Sequence, residues 1–218
     1  MQLDTVIFDM DGLLIDSEPL WHEAADEVLP RFYIKLTQQQ HLSSTGMRTR
    51  EFLEWWFKQY KVSLTHVDEG CELILRSVIS KVQDRGKAMP GLEHIFNYFI
   101  QRKYKIGLAS SSPMELIDVV IQKLGIGNYL QAVCSASELP YGKPHPLVYL
   151  NCAAELKSEP TSCICFEDSF NGLIAAKAAR MKCVVVPSLH DSKDPRFNAA
   201  DLKISSLQNF NDLLMQTI

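Results

Sequence analysis

Asp9 and Asp11 stand two residues apart where the short run Thr5-Val6-Ile7-Phe8 ends, with Gly12 directly behind them. Two acids at this spacing can face one pocket if the chain turns as it leaves a strand, and glycine permits that turn. Surface turns are also rich in Asp and Gly, but this one emerges from a fully apolar segment. Further along, Ser110 and Ser111 follow Lys105–Ala109, and Lys143 sits in Tyr141-Gly142-Lys143-Pro144-His145-Pro146. Glu167 and Asp168 follow Cys163-Ile164-Cys165-Phe166. Carboxylates gathered in one place repel unless a cation lies among them, and oxygen ligands of this kind suit Mg²⁺. A hydroxyl with the free N–H groups of a strand-to-helix turn binds phosphate oxygens, and a lysine stiffened by Pro144 neutralises a phosphate or carboxylate. Each signal has an ordinary reading as well. A serine in such a turn caps a helix, a task for which Ser111 or Ser112 is better placed than Ser110. Lysines in loops are usually solvated, and Glu167-Asp168 could cap a helix starting near Asn171.

The elements that must position these residues follow from the apolar pattern. Short apolar runs at Thr5–Phe8, Lys105–Ala109, Ala132–Cys134, Ser162–Phe166 and Cys183–Val186, with a weaker one at Leu202–Ile204, predict buried strands. Helical spacing separates them at Ile117, Val120, Ile121 and Leu124, at Val148, Cys152, Ala153 and Leu156, and at Ile174, Ala178 and Met181. Strands alternating with helices predict an α/β fold with a Rossmann-like parallel sheet, right-handed crossovers and a ligand site at the strands' carboxyl ends. All the residues named above fall at those ends.

One interval breaks the alternation. From about Glu18 to Lys87 only helical patterns occur: Leu20, Ala24 and Val28; Phe52, Trp56 and Tyr60; and Leu73, Val78 and Val82. This predicts a four- or five-helix insertion over 18–86, with the α/β core formed by 1–17 and 87–218. Pro19 and Pro90-Gly91 mark its borders. Trp55 and Trp56 are adjacent, so only one of them can readily be core.

Composition narrows the function. The chain has 218 residues, 46% of them hydrophobic, and 22 Lys plus Arg against 26 Asp plus Glu give a net charge of −4. Such a chain can bury a sizeable core without disulfides or structural metals. Its mild acidity argues against nucleic-acid binding, and its apolar runs fall short of the ~20 residues that span a bilayer. Six cysteines show no metal-binding spacing and no leader opens the chain, so a reducing cytoplasm is expected.

Phe8-Asp9-Met10-Asp11-Gly12-Leu13-Leu14-Ile15-Asp16-Ser17 resembles the first motif of the haloacid-dehalogenase-like hydrolases. Ser110, Lys143 and Glu167-Asp168-Ser169 resemble the second, third and fourth motifs, in the family's order and across essentially the whole chain. The helical insertion resembles a type-1 cap, and the likeness is strongest to the branch holding β-phosphoglucomutase and small sugar-phosphate phosphatases. The resemblance implies Asp9 as nucleophile forming an aspartyl-phosphate, and Asp11 as general acid and then base. It implies Mg²⁺ held by Asp9, Asp168, Glu167 and the backbone carbonyl of Asp11, with Ser110, Ser111 and Lys143 on the phosphoryl oxygens. Asp16 would order the flap turn, and Asn171 and Gly172 would shape the loop behind the metal.

Departures from the family's patterns sort the alternatives. Dehalogenases lack the second acid and P-type ATPases carry Thr there, so Asp11 favours phosphoryl chemistry. Mutases of the branch have a His where this chain has Trp21, with His22 expected to point elsewhere, and a cap Lys where it has Thr45. A phospho-receiver module shares the acidic pocket but lacks the cap and the Asp11-Gly12 pair. In the cap, Gly46-Met47-Arg48-Thr49-Arg50 resembles the substrate loop. Arg48 could bond a sugar hydroxyl or a second anion, or be a solvated helix-start arginine. Trp21 could stack on a sugar face or pack in the cap core. The expectation is a Mg²⁺-dependent phosphatase for small phosphorylated metabolites, acting as a monomer or weak oligomer.

Overall fold

In the computed structural model, which describes residues 3–44 and 46–218, six strands form one fully parallel sheet. They are β1 (Thr5–Phe8), β2 (Lys105–Ser110), β3 (Ala132–Ser135), β4 (Cys163–Glu167), β5 (Lys182–Val185) and β6 (Leu202–Lys203). Their spatial order is β3-β2-β1-β4-β5-β6, with Phe8 opposite Leu108 on one side and Phe166 on the other. The chain reverses its winding direction between β1 and β4, the place where an open parallel sheet leaves a crevice beyond its carboxyl ends.

Side chains alternate across the sheet with the two-residue period of a strand. On one face Val6, Phe8, Ile164 and Phe166 pack under Ile95, Phe96 and Phe99 of α5 (Leu92–Gln101) and Leu116, Ile117 and Val120 of α6 (Met114–Leu124). Phe8 and Phe96 stack at 5.1 Å and Phe166 meets Phe210 edge-on at 5.0 Å. On the other face Ile7, Ala109 and Cys165 meet Tyr149, Cys152 and Ala153 of α7 (Leu147–Glu155) and Leu173, Ala175 and Ala176 of α8 (Phe170–Ala178). A short α9 (Asp212–Met215) ends the chain's regular structure. Helix α5 has no counterpart among the sequence-predicted elements, although its buried residues Ile95, Phe96 and Phe99 stand at helical spacing. The α8 face is also rotated from expectation. Gly172, Leu173, Ala175 and Ala176, not Ile174 and Ala178, make its buried side.

Between β1 and α5 every described element is helical: α1 (Glu18–Val28), α2 (Gln38–Leu42), α3 (Thr49–Tyr60) and α4 (Val67–Arg85), joined by turns. Leu20, Ala24 and Val28 are buried as their spacing predicts, with Pro19 in the first turn of α1. In α3 the core positions are Leu53, Trp56 and Phe57, so Phe52 and Tyr60 belong to its flanks, and Trp55 is 52% exposed. In α4 the core stripe is Ile74, Val78 and Val82. Ion pairs from Glu23 to Arg85 and from Glu27 to Lys81 run between α1 and α4. Among the described residues the cysteines are free, five of the six are buried, and no helix is long and apolar enough to cross a membrane.

Candidate active site

The end of β1 delivers Asp9 directly into the crevice, where its backbone N–H donates to the Phe166 carbonyl at 3.0 Å. The chain then turns through Gly12, whose φ of +76° lies in the left-handed region. The same glycine makes room for a neighbour, since a Cβ there would lie 2.2 Å from Asp168 Oδ2. Gly172 serves Glu167 in the same way: a Cβ on it would fall 1.9 Å from the Glu167 carboxyl carbon. These two contacts explain why glycine stands at both positions, and they seat both acids against the end of β1.

Four charged groups meet there. Lys143 Nζ donates to Asp9 Oδ1 at 2.5 Å, to Glu167 Oε1 at 2.6 Å and to the Ala109 carbonyl at 3.1 Å. Glu167, with no exposed surface, also accepts from the Tyr149 hydroxyl at 2.5 Å and from Ser169 Oγ at 3.2 Å. Asp9, Glu167 and Asp168 each offer a carboxylate oxygen within 4.8 Å of the others. Burial pushes the Asp9 carboxyl up to about 8, Glu167 and Asp11 add to the rise, and Lys143 opposes it. Asp168 is raised well above its ordinary value, by burial first and then by Asp9 and Glu167. Burial alone would lower Lys143, but Asp9 and Glu167 hold its ammonium above its ordinary value. Three carboxyls share one ammonium, so with all three ionised the site would carry more negative charge than its own residues neutralise. A compact set of hard oxygen donors with that deficit fits a small divalent cation.

Asp11 has a different environment. Its Oδ1 accepts from Ser17 Oγ at 2.7 Å and from the Trp21 indole N–H at 3.1 Å. Its Oδ2 accepts from Ser112 Oγ at 2.7 Å and from Ser110 Oγ at 3.4 Å. Its carboxylate therefore stands outside the acidic cluster while lining the same cavity as Asp9. Ser110 is buried and its hydroxyl accepts from the Ser112 N–H at 3.0 Å. Ser111 also lines the cavity, and its buried hydroxyl has no hydrogen-bond partner among the described residues. Neither Ser111 nor Ser112 caps α6, contrary to expectation: the residue preceding that helix is Pro113 and no side chain caps it. Likewise Ser169, not Glu167 or Asp168, caps α8 by accepting from the Gly172 N–H at 3.1 Å.

The cavity above these residues has a volume of about 120 Å³ and extends into the helical insertion, with Trp21, Gly46 and Met47 in its wall. Two expectations for this wall need correction. Arg48 does not line the cavity. Its guanidinium donates to the Ala136 carbonyl at 3.2 Å, to the Leu139 carbonyl at 2.6 Å and to Glu51 at 2.5 Å, so it ties the insertion to the loop after β3. His22 does line it, beside Trp21, because α1 meets the cavity broadly enough to present consecutive residues. Thr45 lies outside the described residues. His41, Ser44 and Tyr149 were missed in the sequence. The histidine and serine sit in a segment with no motif, and Tyr149 reads as one more apolar position of α7.

Comparison with known proteins agrees with this geometry. Residues 6–186 match the family model for haloacid dehalogenase-like hydrolases. Hexitol phosphatase B of Escherichia coli K12 is 39% identical over 207 residues, 94% of this chain and 93% of that protein. Fructose-1-phosphate phosphatase YqaB of the same organism is 30% identical over 83% of this chain and 95% of its own length. Among solved structures, β-phosphoglucomutase from Clostridium difficile superposes with a TM-score of 0.85 at 25% identity, covering 99% of this chain and 96% of that one. CbbY from Rhodobacter sphaeroides, in complex with phosphate, shares the fold at a TM-score of 0.85 and 19% identity, over 95% of this chain and 96% of its own. With its four motifs gathered at the carboxyl ends of β1, β2 and β4 and on the Lys143 loop, the chain belongs to the haloacid dehalogenase-like hydrolase family.

Proposed function

We propose that this protein is a Mg²⁺-dependent phosphatase of small phosphorylated metabolites, with hexose and hexitol monophosphates as its substrate class. The observation that carries the reading is the division of labour between two aspartates on one cavity. Asp9 is paired to Lys143 inside the acidic cluster, while Asp11 stands outside it on four hydroxyl and indole donors. Oδ1 of Asp9 is held by Lys143, which leaves Oδ2 without a protein hydrogen bond among the described residues and able to attack. Attack forms the Asp9–phosphorus bond as the ester oxygen leaves with a proton from Asp11. Asp11 then takes a proton from the water that cleaves the aspartyl-phosphate. Ser110, the unpartnered Ser111 hydroxyl and Lys143 hold the phosphoryl oxygens on which charge spreads. Asp9, Glu167, Asp168 and the Asp11 backbone carbonyl would hold Mg²⁺, which supplies the positive charge that lets a carboxylate and a phosphate dianion meet.

In this reading residues 18–86 act as a cap that excludes water from a core of 1–17 and 87–218. Free buried thiols suit a reducing cytoplasm, and a monomer or weak oligomer suffices because one chain supplies every group invoked. The family model and the two phosphatase relatives support the phosphatase over the mutase. So does Trp21, whose indole nitrogen only donates and is already engaged by Asp11. The test is phosphate release from a panel of sugar phosphates, with Mg²⁺ and with EDTA, beside a mutase assay on β-glucose 1-phosphate. Metal-dependent release without isomerisation is expected; isomerisation without release would overturn the proposal.

A further inference from the structure

Beyond Asp9 and Asp11 the cavity continues into the helical insertion, and its far wall has a chemistry of its own. His22 of α1 and His41 of α2 both line it, their rings 4.7 Å apart and tilted by 35°. His41 is buried, and its Nε2 is fixed at 3.0 Å from Asp26 Oδ1. Its Nδ1 and both ring nitrogens of His22 carry no protein hydrogen bond among the described residues. Around them Ala25, Phe52 and Ile74 give the wall apolar surface, with Ser44 and Thr49 also in the lining.

Lysine and arginine are missing from this end among the described residues. Among the described residues the cavity's one lysine is Lys143, on its floor and already bonded to Asp9 and Glu167, and no arginine lines it. Arg48 is engaged by Ala136, Leu139 and Glu51, and Arg50 pairs with Asp68 on the surface. We propose that His22 and His41 form the leaving-group subsite, reading the hydroxyls of an uncharged sugar or polyol, and that this wall rejects leaving groups bearing a second anion. This rests on the phosphatase reading above.

The physical argument has two halves. Imidazole nitrogens offer both donor and acceptor, which matches a hydroxyl, while the apolar surface accepts the carbon face of a sugar. A second phosphate or a carboxylate would leave water for a wall that, among the described residues, offers no Lys or Arg to replace its hydration. His22 fits this role as a neutral ring, because burial first and His41 second lower its pKa.

The experiment measures kcat/KM of the Mg²⁺-loaded protein on fructose 1-phosphate and fructose 1,6-bisphosphate, which differ by one phosphate, and on glucitol 6-phosphate, phosphoglycolate and p-nitrophenyl phosphate. The monophosphate is expected to exceed the bisphosphate by about a hundredfold or more, with phosphoglycolate equally poor. His22→Phe keeps a ring but removes both nitrogens. It should lower kcat/KM on glucitol 6-phosphate by about tenfold, mainly through KM. The loss on p-nitrophenyl phosphate, whose leaving group has no hydroxyl to read, should be several-fold smaller, and His22→Asn should recover part of the hexitol activity. His22→Lys should narrow the preference for the monophosphate. Equal rates on the two fructose phosphates, or equal losses on hexitol and aryl substrates in His22→Phe, would overturn the subsite. If His22→Phe does not fold, the fructose pair on the unaltered protein still decides. No release from any ester with Mg²⁺ would remove the phosphatase reading and the subsite with it.

Discussion

Titrating the protein with Mg²⁺ at a series of pH values reads the electrostatics of the acidic cluster directly. Asp9 in the metal-free fold is raised from 3.8 to about 8. In the unfolded chain it is ionised from about pH 4 upward, whereas in the metal-free fold it keeps its proton until about pH 8. Between those limits the unfolded state binds fewer protons, so this group's contribution to stability falls as pH rises, by about 1.4 kcal/mol per pH unit. Over the interval from 3.8 to about 8 the ceiling is about 6 kcal/mol. Asp168 is raised from the same cause and acts in the same direction. Lys143, held above its ordinary value, stays charged throughout the window and contributes no slope. Mg²⁺ requires the carboxylate form, so its binding expels the proton, and the apparent Kd should fall about tenfold per pH unit before levelling near pH 8. The assay is urea unfolding at pH 5, 6, 7 and 8 with EDTA and with a fixed excess of Mg²⁺. The difference between the two curves should grow by about 1.4 kcal/mol per pH unit or more. Taking the difference cancels Glu27, Asp194 and Asp212, whose lowered pKa values give slopes of the opposite sign. A metal increment that is flat from pH 5 to 8 would refute the placement of the cation among these acids.

Four substitutions extend the test. Asp9→Asn should abolish turnover and raise metal-free stability above pH 6, because it removes one of three crowded carboxyls; near-normal phosphate release would sink the mechanism. Asp11→Asn should slow alkyl phosphates by about a hundredfold and p-nitrophenyl phosphate far less, since only a basic alkoxide needs a proton to leave; equal losses would remove Asp11 from that role. Gly172→Ala places a Cβ 1.9 Å from the Glu167 carboxyl carbon and should cost about 1–3 kcal/mol in urea unfolding, with weaker Mg²⁺ binding; a protein of unchanged stability contradicts the packing described. Arg48→Met removes donors to two carbonyls and should cost about 1–3 kcal/mol while lowering mono- and bisphosphate turnover in proportion; a loss confined to doubly anionic substrates would return Arg48 to the substrate.

What the sequence discloses, and what it hides, follows from the range of the forces involved. Strand runs and the Asp9-Met10-Asp11-Gly12 turn are local: alternation, apolar density and a glycine with positive φ are each written within a few residues. The convergence of Ser110, Lys143 and Glu167 on Asp9 is not local, yet it is legible, because a parallel sheet sends all its carboxyl ends the same way. The cap wall has no such rule. Arg48 stands where a substrate arginine would stand, but whether its guanidinium meets a ligand or the Ala136 and Leu139 carbonyls depends on how an inserted helix docks 88 and 91 residues away. His22 and Trp21 are consecutive on α1, and helical spacing directs them to different sides. Both nevertheless reach the cavity: α2 brings His41 across against His22, and the indole N–H of Trp21 reaches down to Asp11. Glu167 shows the same limit in the core. Its sequence neighbours suggest a helix cap, and only the absence of a Cβ at Gly172 and the hydroxyl of Tyr149, both contributed from other turns of the chain, show that it is buried to hold Lys143. Chemistry that a strand end fixes can be read from residue order, whereas chemistry that depends on two packed helices is visible only once their docking is known. For this family architecture the first kind sets the reaction and the second kind chooses the substrate.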